Sequence, residues 1–127
     1  MRPRANVLTE QELEIMKVIW EKERVTVRDV YETLLERKKV AYTTVMTMMR
    51  ILEGKGYLKK SISEKAHVYE ASQPRERVVG GMVSEFLQRV FDGAAKPLLL
   101  HLVENRDVSA KEMEEIAALL KKSRGGK

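Results

Sequence analysis

The side chains with most to offer chemically lie in Ala41-Tyr-Thr-Thr-Val-Met-Thr-Met-Met-Arg-Ile-Leu-Glu-Gly-Lys-Gly-Tyr-Leu-Lys-Lys60. Thr43, Met46, Thr47 and Arg50 fall at i, i+3, i+4 and i+7, so a helix would set them on one face. That face is short and almost uncharged. Its hydroxyls and guanidinium suit phosphate oxygens and base edges, and Thr47 or Met46 suits a thymine methyl. Thr43 and Thr44 would stand in the first turn, where backbone N–H groups lack intrahelical acceptors and attract phosphate. Ala41 is a poor N-cap and leaves those amides open. On the other side Val45, Met48, Met49 and Leu52 repeat the same spacing as an apolar stripe, which fixes the helix to a core. Gly54-Lys-Gly56 then leads into the basic run Tyr57-Leu-Lys-Lys60. A helix with a small polar face followed by a basic hairpin reads as a DNA-reading helix and a wing. The candidate DNA contacts are Tyr42, Thr43, Thr44, Met46, Thr47, Arg50, Lys59 and Lys65.

Other chemistry finds little support. His67 falls in a strand-like run and His101 among leucines, neither with a carboxylate or second histidine at ligand spacing. Glu112, Glu114 and Glu115 suit a solvated acidic face. There is no P-loop, GxSxG or HExxH pattern, and the absence of cysteine excludes disulfides, thiolate metal sites and cysteine nucleophiles. Neither an enzyme, a metal site nor a cofactor is expected.

Charge agrees with the DNA reading. The chain carries a net +5 with a pI near 9.5. The window from Arg37 to Lys65 holds eight Lys or Arg against Glu53 and Glu64, a net +6, which leaves the remainder near neutral. At 127 residues, 43% hydrophobic and 34% charged, one domain or two small ones are expected, and aromatics at 6% favour helical packing. No apolar run reaches the length of a membrane span and no signal-peptide pattern opens the chain, so a cytoplasmic protein without membrane insertion is expected.

These residues need elements to position them. Met1 to Leu8 reads as a loose arm. Thr9 with Glu12 forms a capping box that starts a helix near Glu10, with Leu13, Met16, Val18, Ile19 and Trp20 on its buried side, ending near Lys22. Arg24-Val-Thr26 is an extended connector. Thr26 with Asp29 caps a second helix whose inner face is Val27, Val30, Tyr31, Leu34 and Leu35. Strand-like runs over Gly56–Ile62 and His67–Ala71, split by Ser63-Glu-Lys-Ala66, make the wing, with Leu58 and Ile62 on one side. Pro74 then opens a helix to Phe91, interrupted by Gly80-Gly81, which marks either a close backbone approach or a kink. Helices near Ala95–Asn105 and after the Ser109/Glu112 box complete the chain, and the tail from Lys121 reads as frayed.

The spacing therefore predicts a mostly α fold with a small β-wing: a winged helix-turn-helix domain over 1–73 and a three-helix domain over 74–127. The later helices carry broad apolar faces and no partner core within the chain, which argues for a C2 homodimer built by them. The candidate dimerisation residues are Val79, Met82, Val83, Phe86, Leu87, Val90, Leu99, Leu102, Ile116 and Leu120. A helical protein-interaction adaptor that does not read DNA is the alternative.

Three stretches carry a family resemblance: Ala41 to Leu58, Leu8-Thr-Glu-Gln-Glu-Leu-Glu-Ile-Met-Lys-Val-Ile-Trp20, and Leu98-Leu-Leu-His-Leu-Val-Glu-Asn-Arg-Asp-Val-Ser109. Together they resemble the BlaI/MecI/CopY penicillinase repressors over residues 8–122. The resemblance implies a dimeric winged-helix transcriptional repressor on dyad operators near resistance genes, including those for β-lactamase. It also implies induction through a sensor-linked metalloprotease, with cleavage in the helix matched by Leu98–Val103. The matching bond is His101–Leu102, which stands in place of the family's Asn-Phe junction. The copper-responsive branch uses a C-terminal cysteine motif that this chain lacks.

Overall fold

In the computed structural model, which describes residues 8–125, reciprocal side-chain caps start three helices. Thr9 Oγ1 accepts from the Glu12 amide while Glu12 accepts from the Thr9 amide, and α1 runs Glu10–Lys22. Thr26 and Asp29 do the same for α2, Val27–Leu35, and Ser109 and Glu112 for α6, Ala110–Gly125. Between them lie α3 (Tyr42–Gly54), strands β1 (Leu58–Ser63) and β2 (Ala66–Ala71), α4 (Arg75–Phe91) and α5 (Ala95–Glu104). The expected arm over 1–7 lies outside the described residues. Leu8 does not belong to it, for its side chain is buried in the core.

The chain divides into two compact units, Met1–Val83 and Ser84–Lys127. The core of the first gathers Ile15, Met16, Val18 and Ile19 of α1, Val30 and Leu34 of α2, Val45, Met49 and Leu52 of α3, and Tyr57, Leu58 and Tyr69 around the hairpin. Each such fully buried side chain contributes about 1.5–3 kcal/mol of transfer free energy. Trp20 is half-buried at the edge, and its Nε1 donates to the Gln73 carbonyl at 3.1 Å. Val25 exchanges both backbone hydrogen bonds with Tyr69, at 3.1 and 2.7 Å, and so adds a third extended segment beside the hairpin.

Several details depart from the pattern read off the sequence. Leu35, expected on the inner face of α2, is 42% exposed because the helix ends there. The wing turn is tighter than the four residues expected. Ser63 pairs with Ala66, leaving only Glu64 and Lys65 at φ 50° and 69°, the backbone of a primed two-residue turn. Ile62 continues the face of Leu58 yet is 71% exposed, since the hairpin there projects past the helices that cover Leu58. Pro74 precedes α4 and its carbonyl accepts the first turn's amides. Gly80 and Gly81 lie within the single helix α4, with open space where their Cβ atoms would stand. Helix α6 extends into the tail expected to fray.

In the second unit no described side chain is buried. Val90, Leu99, Ile116 and Leu120 are exposed, and Leu87 and Leu102 half-buried. Phe86 meets Phe91 edge-on at 6.0 Å. Of the other candidate dimerisation residues, Val83 is exposed and Val79 half-buried, but Met82 packs against the N-terminal core, a contact its helical spacing alone does not reveal.

Candidate nucleic-acid interface

Helix α3 is held from behind by Val45, Met49 and Leu52, all at most 1% exposed, with Met48 half-buried beside them. The stripe thus turns the other face outward. Thr43, Thr47 and Arg50 are exposed on it and Met46 is half-buried. No side chain caps the helix at Ala41, which has an extended backbone (φ −91°, ψ 144°), so the first-turn amides keep their affinity for anions. Thr44 separates from this group. It borders a different cleft, beside Lys38, Lys39, Val40 and Met48.

A groove runs between the outer face of α3, the start of α2 and the wing. Its lining includes Arg28, Tyr42, Met46, Arg50, Lys60, Lys65 and His67; among the described residues no acid lines it, while Glu32 and Glu53 stand behind Arg28 and Lys60. Burial raises the Tyr69 phenol above its ordinary value, Glu53 adds to this and Arg50 opposes it, so the groove wall there is a neutral hydroxyl.

Strand geometry separates two lysines that the sequence places side by side. Successive side chains point to opposite faces. Lys60, on the face of Leu58 and Tyr69, lines the groove, and its ammonium is 3.9 Å from Glu53. Lys59 lies on the other face, opposite Glu70 in the ladder and 3.9 Å from its carboxylate. Arg24 reaches the same Glu70 at 3.1 Å. Lys59, a candidate contact by sequence, is therefore outside the groove, whereas Lys65 lines it. Lys60, Arg28 and His67, not candidates by sequence, also line the groove. The period-two alternation from Leu58 points to Lys60. For Arg28 the only signal is its place in the first turn of α2.

Lys55, part of the basic window, has a different task. Its ammonium lies 2.9 and 3.1 Å from the oxygens of Glu12, whose side chain is 4% exposed. One carboxylate thus joins the start of α1 to the end of α3, just before Gly56 turns the chain into β1 at φ 88°. Burial by itself would raise the Glu12 carboxyl, but the Thr9 amide and the Lys55 ammonium outweigh it and hold the group below its ordinary value.

Among the described residues no cluster of three or more histidine or carboxylate side chains could hold a metal. His101 instead contacts Asn105 at 2.9 Å across one turn of α5.

The chain is similar to known proteins along most of its length. The family model described as penicillinase repressor matches residues 8–122. A transcriptional regulator BlaI from Mycobacterium tuberculosis is 32% identical over 121 residues, covering 94% of this chain and 86% of that protein. A penicillinase repressor from Staphylococcus aureus is 26% identical, covering 86% of each. The solution structure of the DNA-binding domain of the repressor BlaI superposes with a TM-score of 0.51 at 27% identity, over 59% of this chain and 90% of that one. That likeness confirms a winged helix. With its family match spanning both units, the chain belongs to the penicillinase repressor family of DNA-binding transcriptional repressors.

Proposed function

We propose that the protein is a cytoplasmic homodimer that represses transcription by placing two copies of α3 in successive major grooves of a dyad operator. The observation that carries the reading is the exposed Thr43, Thr47 and Arg50 face beside a groove lined by Arg28, Arg50, Lys60 and Lys65. A single copy offers few polar contacts, so useful affinity requires two on one duplex. The partner surface is the apolar side of the helices after residue 73, including Phe86, Val90, Leu99 and Leu120, which are exposed in one chain. Among the described residues no helix is long and apolar enough to cross a membrane. The names of the relatives support β-lactam resistance genes as targets. Induction by a sensor-linked metalloprotease would cut α5 at His101–Leu102 and separate the copies without touching α3.

The test is a titration with a duplex selected by the protein from a random pool, at several salt concentrations. The logarithm of affinity should fall with that of salt at about 0.9 per phosphate neutralised, and Thr47→Ala should relax sequence preference. Binding indifferent to salt would overturn the DNA reading in favour of a protein-interaction adaptor.

A further inference from the structure

We propose that Arg28 and Tyr42 work as one phosphate clamp, which routes a DNA strand through the groove between the start of α2 and the wing. This rests on the DNA-binding reading above. Arg28 is the second residue of α2, and its Cζ lies 5.9 Å from the centroid of the Tyr42 ring. Tyr42 in turn meets Tyr31 edge-on at 5.4 Å and 78°, and Tyr31 packs against the buried core. The guanidinium is thereby linked to the domain through two rings.

A guanidinium over an aromatic face turns its N–H edges away from the ring, where they can donate two parallel hydrogen bonds to a phosphate. The Arg28 side chain is 68% exposed and would otherwise sample many rotamers; the ring narrows them before DNA arrives. Glu32 lies 3.6 Å away one turn along α2. That exposed pair is weak, and it competes with phosphate for the same edge. The same groove is lined by Arg50 of α3, Lys60 of β1 and Lys65 of the turn, so cations from separate elements face one channel. Tyr42, a candidate DNA contact by sequence, becomes the positioning residue and Arg28 the contact.

The test measures affinity and its salt dependence for full-length variants on the selected duplex. Arg28→Ala should weaken binding by on the order of tenfold or more, as for a lost charge-assisted phosphate contact, and reduce the salt slope by about one. Tyr42→Leu should give a similar loss, Tyr42→Phe almost none, and Arg28→Ala with Tyr42→Leu no more than Arg28→Ala alone. Glu32→Gln should tighten binding. Tyr42 is 39% exposed, so these variants should melt like the parent protein. If the parent binds with its salt slope but Arg28→Ala and Tyr42→Leu are unchanged, or their losses add in full, the clamp is wrong and the repressor reading stands. A Tyr42→Phe loss equal to that of Tyr42→Leu would make the hydroxyl the contact and also overturn the clamp. A parent that shows no salt-dependent binding would remove the reading on which the clamp rests.

Discussion

The two units of this chain solve opposite problems with similar materials. In Met1–Val83, three helices and a hairpin close over side chains such as Met16, Ile19, Met49 and Leu52, all fully buried. In Ser84–Lys127, leucines, valines and both phenylalanines of the chain recur along the helices, yet none of the described residues is buried. The first unit completes its core within one chain, while the second carries apolar faces that one chain leaves open. In the dimer proposed above, the contrast is a division of labour between a self-sufficient DNA-binding unit and helices whose exposed apolar faces meet a second copy.

Breaking the open faces should have the largest effect. Phe86→Asp is expected to convert the protein to monomers in sedimentation analysis and to lower affinity for a two-half-site duplex by about 10²–10⁴-fold, the gain that linking two modules supplies. Thermal stability of the first unit should hardly change. Next comes Leu52→Ala, which empties part of the closed core and should cost about 2–5 kcal/mol in denaturant unfolding. Lys55→Met should follow at about 1–3 kcal/mol, since it takes the charged partner from the buried Glu12 carboxylate while the lysine itself is only part-buried. Its sign with pH is fixed by the lowered Glu12 carboxyl. The contribution is present above the unfolded-state value and disappears as pH falls through the lower folded one. Acid unfolding curves should lose that component in Glu12→Gln. The smallest effects are the caps: Thr26→Ala and Ser109→Ala should each cost about 1 kcal/mol by circular dichroism.

The first unit was legible because its rules are local. Thr9 with Glu12 and Thr26 with Asp29 mark where their helices begin, and the Val45, Met49 and Leu52 spacing identifies the side of α3 that is buried. Errors arose where a residue's fate depends on what covers it. Ile62 has the spacing of a core residue but sits beyond the covering helices, and Leu35 stands at a helix end. In the interface, Thr43, Thr47, Arg50 and Lys65 follow from spacing and charge. Arg28 lines the groove beside Tyr42 through tertiary placement that sequence does not reveal, and the ladder turns Lys59 toward Glu70 while Lys60 lines the groove. Lys55 counts as a surface charge in sequence, yet it is held by a carboxylate 43 positions earlier.

The most direct test of the whole account is the stoichiometry of the full chain on duplexes carrying one or two copies of the selected half-site, followed by sedimentation at two salt concentrations. A dimeric repressor should place two chains on the two-site duplex, capture the one-site duplex much more weakly, and lose affinity for both with salt. One chain per duplex with equal affinity for both would contradict it.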